Sequence, residues 1–232
     1  MNGNAAAANR LAELAQALHA SPTPTQTAED VVSYARDQLD ADYASITLIR
    51  RGDRLETIAP SDPITAEIDQ LQYDLDEGIC RDSTWSGATL VSQSLATDPR
   101  WPQWAPKAAA LGVASMIAAE LTGTQGQRMG SVNLYWTDEQ QFTSDDLAYA
   151  QLFARHAAIA LTSALMVQGL NTALDSRKRI GQAQGILMER YDLDEDRAFE
   201  VLRRYSQSRN IKLREVAEQV VATRTLPRSD RA

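Results

Sequence analysis

The fold of the C-terminal third is decided by the stretch RKRIGQAQGILMER, residues 177–190. Its apolar residues recur three and four positions apart, which is the spacing of one face of an α-helix. The same stretch contains Gly181 and Gly185, and each glycine inside a helix costs roughly 1 kcal/mol relative to alanine. Two such glycines in one helix require a structural or functional reason.

The two sides of this predicted helix differ in chemistry when its residues are placed at about 100° intervals. The apolar side holds Ile180, Ala183, Ile186 and Leu187. The other side is basic and flat at the glycines, and it holds Arg177, Lys178, Gly181, Gln182, Gln184, Gly185 and Met188. A phosphate backbone can approach such a surface closely, and its amides can read base edges. Packing of a GxxxG-like face on another helix is the alternative, and the neighbouring amides favour nucleic acid.

Two further helices are predicted after this one, at 194–206 and from Asn210 onward, with Asn210 as a candidate cap. A second group of basic and polar residues lies around their junction: Arg203, Arg204, Ser206, Arg209, Asn210, Lys212 and Arg214. Basic side chains near a helix N-terminus suit a phosphate. A solvated charged face is the alternative for such a run. Arg179 and Arg190 complete the set of candidate nucleic-acid contacts.

The C-terminal region resembles the ANTAR domain. The matching residues are IGQAQGILM at 180–188, DRAF at 196–199, Leu202, Arg203, Ser206, Asn210, Leu213, Val216 and Ala217. The resemblance covers about residues 166–222. It implies an all-α, three-helix RNA-binding module that acts in transcription antitermination by binding paired stem-loops in nascent RNA.

The same resemblance assigns roles to particular residues. It implies that Ala183, Gly185 and Met188 belong to the RNA-facing core of the module. Gln184 stands where many members of the family have lysine, which removes one phosphate contact.

The upstream residues predict an α+β domain with an antiparallel sheet flanked by helices. Apolar and polar residues alternate at 43–49, a turn follows at 51–53, and further apolar strands are predicted at 115–122 and 130–135. A long helix with Ser144 as its N-cap is predicted to run to about residue 165, and its apolar stripe continues to Leu187. Strands between helices, followed by a long helix, are typical of an α+β fold.

This region resembles a GAF domain of the kind that precedes ANTAR in actinobacterial-type proteins. The matching residues are EGIC at 77–80, DPRWP at 98–102, LGV at 111–113, GSVNLY at 130–135 and Phe142. The resemblance covers about residues 25–165 and implies a sensory domain with a pocket for a small molecule of unknown identity. The candidate ligand-binding residues are Tyr43, Cys80, Trp85, Trp101, Trp104, Asn133 and Tyr135.

Core packing is the alternative role for the cysteine and the tryptophans among these residues. A lone cysteine such as Cys80 is more often a small buried hydrophobe than a reactive thiol. A tryptophan in a loop serves as often as a lid over the core or a contact with another chain.

Composition narrows the classes of function. The chain has 232 residues and a net charge of −8, with one cysteine and two histidines. One cysteine excludes an internal disulfide and a cysteine-based zinc site. No GxSxG, P-loop, HExxH or GxGxxG motif is present. We therefore predict neither an enzyme nor a metal or cofactor site.

Charge is unevenly distributed, with −11 on residues 1–165 and +3 on residues 166–232. A positive segment beside an acidic body fits contact with a polyanion. No signal peptide is evident, and the longest unbroken apolar stretch, 157–161, is far shorter than the roughly 20 residues that a membrane span needs. We therefore expect a cytoplasmic protein without a membrane partner.

Four segments are predicted: an N-terminal helix and linker at 1–24, a GAF domain at 25–165, an ANTAR domain at 166–225 and a disordered tail at 226–232. The predicted function is that of a signal-responsive RNA-binding antiterminator. It acts as a homodimer joined by a coiled coil around residues 145–190, and it meets the transcription machinery indirectly through RNA stem-loops. The alternative is a GAF scaffold whose C-terminal helices bind a protein partner, and helix-turn-helix binding to DNA is a weaker third reading.

Overall fold

The computed structural model describes residues 23–226. Its elements in chain order are α1 (Pro24–Leu39), β1 (Tyr43–Arg50), β2 (Arg54–Thr57), α2 (Pro63–Leu75), α3 (Ile79–Ser86), β3 (Leu90–Ser92), α4 (Ala105–Ala110), β4 (Ser115–Thr122), β5 (Arg128–Trp136), α5 (Ser144–Tyr191), α6 (Glu195–Arg209) and α7 (Leu213–Thr223). A short 3₁₀ turn, Leu95–Thr97, precedes α4. The predicted N-terminal helix lies outside the described residues, as does the predicted tail apart from Leu226.

The chain divides into two compact units, one ending at Met166 and the other beginning at Val167. The first unit contains one five-stranded sheet in the order β2-β1-β5-β4-β3, and every neighbouring pair is antiparallel. The predicted antiparallel sheet with flanking helices is therefore confirmed. Helix α5 contributes residues to both units.

Alternating side chains give the sheet two buried faces. On one face Ile46, Val132 and Leu134 pack with α1 and with the first part of α5. Tyr34 of α1 stacks on Phe153 of α5 with ring centroids 6.1 Å apart. The other face lies under the helices that follow β2, and its apolar core contains Met116, Tyr135, Ile68, Ile79, Cys80, Trp101 and Trp104.

Side-chain caps define the starts of two helices in the first unit. Helix α1 begins at Pro24 with Thr23 as its N-cap, because the Thr23 hydroxyl accepts the amide of Gln26 at 3.1 Å. The predicted cap of α5 was Ser144, but Thr143 does the capping: its hydroxyl accepts the amide of Asp146, and the Asp146 carboxylate accepts the Thr143 amide at 2.8 Å. This is a reciprocal capping box.

The second unit is a three-helix module made by the end of α5 with α6 and α7. Its core consists of seven small and aliphatic residues: Ala183, Leu187, Ala198, Leu202, Val216, Ala217 and Val220. Asp194 caps α6 by accepting the amide of Arg197 at 2.8 Å. Asn210 does not cap the third helix as predicted, because it ends α6 in a left-handed conformation with φ 54°. Lys212 takes the N-cap position of α7 without a side-chain hydrogen bond.

Helix α5 carries large apolar side chains that residues 23–226 leave largely uncovered. Leu152, Ile159, Met166, Val167, Leu170 and Leu174 are 40–68% exposed. An 18-residue window of α5 has a mean hydropathy of 1.4 and is only 17% buried, so by length and composition alone this helix could cross a membrane. Within residues 167–174 the polar residues Gln168, Asn171 and Thr172 lie between the exposed apolar residues.

Gly130 in β5 is the glycine on which the centre of the sheet depends. Its φ is +149°, and a Cβ at this position would lie 1.8 Å from the carbonyl oxygen of Thr47 on β1. Any side chain at residue 130 would therefore push apart two strands that pair along most of their length.

We predict that Gly130→Ala lowers the free energy of unfolding by at least about 3 kcal/mol, because the clash is with backbone that cannot rotate away. Gly126→Ala is the matched control: it also has a positive φ, of +78°, but its Cβ would meet nothing within 4 Å. The control should lose only about 1–2 kcal/mol from backbone strain. Urea unfolding of both variants provides the measurement, and equal losses would contradict the strand clash.

Candidate functional site

The end of α5 has two faces, as the sequence predicted. Ala183 and Leu187 are fully buried in the core of the three-helix module, and Ile180 and Ile186 pack at its edge. The opposite side is open to solvent: Arg177, Lys178, Gly181, Gln182, Gly185 and Met188 are exposed, and Gln184 is half-buried. The prediction of an exposed basic and glycine-bearing helix face is therefore confirmed as a structural feature.

Gly181 and Gly185 leave open space above the helix. A Cβ at either position would meet no other group within 4 Å. The described part of the chain therefore places no helix against this face, and the glycines are not needed for packing within it. They make the surface flat, which lets a large partner reach the helix backbone.

Ala183 requires a correction. The resemblance implied that it belongs to the RNA-facing core, but its side chain is 0% exposed and packs among α6 and α7. Helical spacing had placed Ala183 on the apolar side, and the structure agrees with the spacing. Ala183 supports the open face from behind by letting α6 and α7 approach α5.

Three adjacent cations precede the glycines, Arg177 and Lys178 on this face and Arg179 on the other side of the helix, and none has a carboxylate partner in the part of the chain that the structure describes. Within residues 23–226, Arg177, Lys178 and Arg179 form no ion pair. Arg179 only donates from Nη1 to the side-chain oxygen of Gln182 at 3.3 Å. Uncompensated exposed cations are the groups that release counterions when they meet a phosphate backbone.

The second basic group is partly neutralised. Arg203 pairs with Glu200 at 2.7 Å, and Arg214 pairs with Glu218 at 2.8 Å. Arg209 lies over the ring of Tyr205, 5.2 Å from its centroid. Arg204 and Lys212 are exposed and have no ion pair in the described part of the chain. This group is therefore a weaker anion surface than its sequence indicated.

Three predicted contact residues hold the module together by side-chain hydrogen bonds, and a fourth ends one of its helices. Ser206 donates its hydroxyl to the carbonyl of Ile211 at 2.6 Å, and Asn210 ends α6. Gln184 donates to the carbonyl of Glu195 at 3.3 Å, and Arg190 donates to the carbonyl of Arg224 at 3.0 Å. Their first effect is on the shape of the module.

The sequence reasoning missed two exposed aromatic rings on the module. Tyr191 at the end of α5 is 45% exposed and Phe199 of α6 is 36% exposed. Exposed rings suit the stacking of unpaired bases. Neither ring was among the predicted contacts, and the position of each residue around its helix is the signal that could have identified it.

Most of the predicted ligand residues of the first unit lie in its core. Cys80, Trp101, Trp104, Asn133 and Tyr135 are at most 2% exposed. Trp101 donates from Nε1 to Asp82 at 2.8 Å, and Trp104 donates from Nε1 to the carbonyl of Ile68 at 3.2 Å. The two indoles meet edge to face at 5.9 Å. The core-packing alternative therefore describes their position, and Tyr43 packs at the edge of the same cluster.

A buried carboxylate lies between α2 and the sheet. Asp69 accepts hydrogen bonds from Tyr135, from Ser45 at 2.7 Å, from Thr57 at 2.9 Å and from Gln72 at 3.3 Å. No cation pairs with it in residues 23–226. Burial raises the pKa of Asp69 to about 6, although the four hydrogen bonds act in the opposite direction.

Cys80 lies close to this carboxylate, in a position that disfavours its thiolate form. It is fully buried, and burial followed by the charge of Asp69 raises the pKa of its thiol well above the ordinary value. Its backbone amide donates to the side-chain oxygen of Gln72 at 2.8 Å. A thiol that stays protonated is a poor nucleophile and a poor metal ligand.

An open cavity of about 570 Å³ lies beside this polar core, on the outer side of β2, α2 and α3. Of the predicted ligand residues only Trp85 lines it, together with Arg50, Arg54, Tyr73 and Arg81. Arg50 pairs with Glu56, and Arg81 pairs with Asp76 at 2.6 Å. Tyr73 joins the cavity to the interior, because its hydroxyl shares hydrogen bonds with Thr47 at 2.9 Å and Thr57 at 2.8 Å.

Metal binding has no support in the described ranges. Residues 23–226 contain no group of three or more histidine, cysteine, aspartate or glutamate side chains that could hold a metal ion.

Comparison with known families agrees with these two units. The GAF domain model matches residues 21–162, and the ANTAR domain model matches residues 168–221. No curated protein sequence matches the chain.

Solved structures resemble the first unit in fold. The GAF domain of an Acinetobacter phosphoenolpyruvate-protein phosphotransferase superposes with a TM-score of 0.56 at 13% identity, covering 70% of this chain and 97% of that one. The equivalent domain from Coxiella burnetii gives 0.56 at 16% identity, with 71% and 96% covered. A free methionine-R-sulfoxide reductase from Neisseria meningitidis in complex with its substrate gives 0.53 at 13% identity, with 68% and 89% covered.

The chain belongs to the GAF family, and its GAF domain is followed by an ANTAR domain, which is the arrangement of a GAF-ANTAR regulator. GAF domains are sensory and ANTAR domains bind RNA in transcription antitermination, so the general kind of function is regulatory. The actinobacterial type stays a prediction.

We predict that Asp69→Asn changes how stability depends on pH. The folded-state pKa of about 6 lies above the ordinary value of 3.8, so the folded protein binds this proton more tightly than the unfolded chain. The resulting stabilisation is complete below the ordinary pKa and is lost as the pH rises through about 6, a change of about 3 kcal/mol.

Urea unfolding at about pH 4 and about pH 7.5 measures this effect as the difference between variant and wild type. The variant should gain on the wild type by up to about 3 kcal/mol at the higher pH, since asparagine carries no charge. A difference that is the same at every pH would show that Asp69 does not titrate in this range.

Proposed function

We propose that this chain is a signal-responsive antiterminator that binds RNA stem-loops through the open face of α5, under the control of its GAF domain. The observation that carries the proposal is the pairing of an uncovered glycine surface with unpaired cations at residues 177–185. We place the protein in the cytoplasm and assign it no catalytic activity, since GAF and ANTAR are regulatory domains.

Close approach supports RNA as the ligand of this face. Each glycine inside the helix costs roughly 1 kcal/mol relative to alanine, and no contact within residues 23–226 compensates for it. A bound strand compensates instead, because its backbone can contact the helix where no side chain intervenes. Stem-loops are the suited form of RNA, since their loop bases are unstacked and readable while the deep groove of the duplex is not.

The candidate contacts fall into three kinds. Phosphate contacts come from the cations without partners, which are Arg177, Lys178, Arg179, Arg204 and Lys212. Base contacts come from Gln182 and from the exposed rings of Tyr191 and Phe199. Arg203 and Arg214 contribute less, because each already has a carboxylate partner.

Homodimerisation is proposed through the exposed apolar residues of α5. Leu152, Ile159 and Met166 are seven residues apart, and Val167, Leu170 and Leu174 follow with spacings of three and four. These spacings are typical of a coiled-coil seam. A paired helix would bury side chains that are 40–68% exposed in the single chain.

The input of the GAF domain is proposed to enter at the cavity beside Trp85 and Tyr73. Its volume of about 570 Å³ is within the usual range for a small-molecule site. The buried tryptophans and Cys80 shape the core behind it and are not contacts in this proposal.

We predict that Arg177→Ala combined with Lys178→Ala weakens binding to a two-stem-loop RNA about tenfold near 0.15 M salt. Two lost phosphate contacts should also make the plot of log K against log salt shallower by about 1.4–1.8. Gel shift or fluorescence anisotropy at several salt concentrations measures both quantities.

The matched control is Arg203→Ala combined with Arg214→Ala. It removes the same charge, but from guanidinium groups that are already paired. The control should lose less than about threefold. Equal losses in the two variants would move the contact face away from α5, and an unstructured RNA that binds as tightly as the stem-loops would contradict the proposal.

We also predict that Gly181→Ala separates stability from binding. The variant should gain up to about 1 kcal/mol in the free energy of unfolding, because its Cβ meets nothing in the chain. RNA binding should nevertheless fall, since the methyl group stands where the strand approaches. A variant that is more stable and binds RNA as well as the wild type would show that the glycine surface is not the contact.

A further inference from the structure

The hydroxyl of Tyr73 joins the open cavity of the GAF domain to the buried carboxylate of Asp69. Thr57 donates its hydroxyl hydrogen to Oδ2 of Asp69 at 2.9 Å, and its oxygen lies 2.8 Å from the hydroxyl oxygen of Tyr73. The hydroxyl of Thr47 lies 2.9 Å from the same Tyr73 oxygen. Because Tyr73 also lines the cavity, a continuous chain of hydroxyl groups connects the cavity with Asp69.

The protonation state of Asp69 sets the direction of this chain. A hydroxyl group carries one hydrogen, and Thr57 donates its hydrogen to the carboxylate. The hydrogen of Tyr73 therefore lies between Tyr73 and Thr57, and the Tyr73 oxygen accepts from Thr47. A neutral Asp69 carries a hydrogen of its own. When that hydrogen points at Thr57 the chain reverses, and the hydrogen of Tyr73 becomes available to an acceptor in the cavity.

The ionisable groups that face Asp69 stay neutral near pH 6, so they do not compete with its titration. Among the described residues these groups are Tyr73 on the same helix, Cys80 on α3 and Tyr135 on β5. Burial followed by the charge of Asp69 raises the pKa of each of them. Strands β1 and β2 contribute neutral hydroxyl groups. Asp69 is therefore the group in this cluster that changes charge.

The charge of Asp69 also acts on whatever binds the Tyr73 hydroxyl. After burial, it is the second cause that raises the pKa of Tyr73, because a negative charge on the phenol oxygen is repelled. An anion that approaches this oxygen from the cavity meets the same repulsion. Repulsion and hydrogen-bond direction thus agree: an anionic acceptor binds Tyr73 best when Asp69 is neutral.

The lining of the cavity favours an aromatic carboxylate. Arg50 and Arg54 lie directly opposite each other in the pairing of β1 with β2, and both line the cavity. Like charges in opposite positions destabilise a strand pair, and in the described part of the chain Arg54 forms no ion pair. A guanidinium group binds a carboxylate through two parallel hydrogen bonds. Tyr73 and Trp85 lie in the same lining, where they can contact a ring.

Carboxylates of the protein line the cavity as well, but two of the three are already paired. Glu56 pairs with Arg50, and Asp76 pairs with Arg81 at 2.6 Å. Asp53 is exposed in the hairpin turn and is the group that would attract a cation. A cationic ligand would depend on pH in the opposite sense, because the ionised form of the buried carboxylate would favour it.

We propose that the GAF cavity binds an aromatic carboxylate together with one proton, which Asp69 takes up from solvent. The ligand carboxylate contacts Arg54 and accepts the hydrogen of Tyr73. The inference rests on the proposed input role of the cavity, and it adds the chemical class of the ligand and the sense of its pH dependence. Binding is tight where Asp69 is neutral and weakens as the pH rises through about 6. By linkage, the ligand raises the proton affinity of Asp69 by the same factor.

The test measures the dissociation constant of 2-naphthoate by NMR on the full-length protein. The indole N–H signal of Trp85, identified with Trp85→Phe, reports on the cavity. The probe stays ionised above about pH 5, so changes with pH report on the protein. The wild-type dissociation constant should rise by fivefold to about 25-fold between about pH 5.5 and about pH 7.5, because the fraction with a neutral Asp69 falls. 2-Naphthamide, which has the ring without the charge, should show less than a twofold change.

Asp69→Asn holds the chain of hydroxyl groups in its reversed direction. An amide offers one oxygen and one N–H donor on two atoms, as the neutral carboxyl offers one oxygen and one O–H donor. At about pH 7.5 the variant should bind 2-naphthoate within about threefold of the wild type at about pH 5.5, and its affinity should not depend on pH. A pH effect that persists in this variant would show that another group takes up the proton.

Tyr73→Phe keeps the ring and removes the hydroxyl that connects the cavity with the buried carboxylate. The variant should bind 2-naphthoate at least fivefold more weakly at about pH 5.5, and the ratio between the two pH values should fall to threefold or less. Tyr34→Phe is the matched control, because Tyr34 stacks on Phe153 on the other face of the sheet. The control should bind as the wild type does.

Arg54→Gln tests the charge of the ligand separately from the proton. It should weaken binding of 2-naphthoate at least fivefold at both pH values and leave their ratio unchanged. Arg51→Gln removes the same charge from an exposed residue outside the lining, and it should change the affinity less than twofold. Equal losses in the two variants would reduce the effect of Arg54 to general attraction and contradict the site.

Three results for the wild type would overturn the inference. These are no binding of 2-naphthoate at about pH 5.5, an affinity that is equal at the two pH values, and tighter binding of 2-naphthylmethylammonium than of 2-naphthoate. None of these measurements involves RNA. Wild-type protein that binds no stem-loop RNA would overturn the proposed antiterminator and leave the result at the cavity as it stands, so the two failures can be told apart.

Discussion

The whole arrangement of the C-terminal unit depends on the contact of Ala183 and Leu187 with α6 and α7. These two residues lie one helical turn apart and carry the only fully buried side chains of α5 in this unit among the described residues. By fixing which side of α5 faces inward, they decide that the two glycines, Arg177 and Lys178 face outward. The core that holds α5 in this orientation has seven residues. Small changes in its packing therefore act directly on the exposed surface.

In the GAF domain, the alternation of side chains along the strands determines which residues lie on each face of the sheet. The even-numbered residues of β1 and β5 pack against α1 and α5. The odd-numbered residues, which include Ser45, Thr47 and Asn133, face α2. The polar side chains of this second face lie near the buried carboxylate of Asp69. One face of the sheet is therefore stabilised by apolar contacts, and the other partly by hydrogen bonds. The interior of the domain is therefore sensitive to protonation on one side only.

Sequence patterns were sufficient for the features that depend on periodicity. The alternation in β1 and the two-sided end of α5 were predicted because side-chain direction repeats every two or about 3.6 residues. Sequence patterns did not predict positions whose burial or conformation depends on another loop or helix packing against them. Trp101, Trp104 and Asn133 have the chemistry of ligand contacts, but their burial depends on how loops fold back over the sheet. Asn210 has the chemistry of a helix cap, yet its left-handed backbone makes it a helix end.

The carboxylate partners of Arg203 and Arg214 lie on the same helices three and four residues away, and these ion pairs could have been predicted from spacing alone.

Tyr73 gives the cavity of the GAF domain a chemical connection to its interior. Its ring lines the opening, and its hydroxyl is bonded to Thr57, which in turn donates to Asp69. In the proposed sensory role, a molecule that takes the Tyr73 hydroxyl as its own partner would rearrange the donors around a carboxylate whose pKa burial raises to about 6. Ligand binding would then be coupled to proton release or uptake by Asp69, and the heat of binding would depend on the ionisation enthalpy of the buffer.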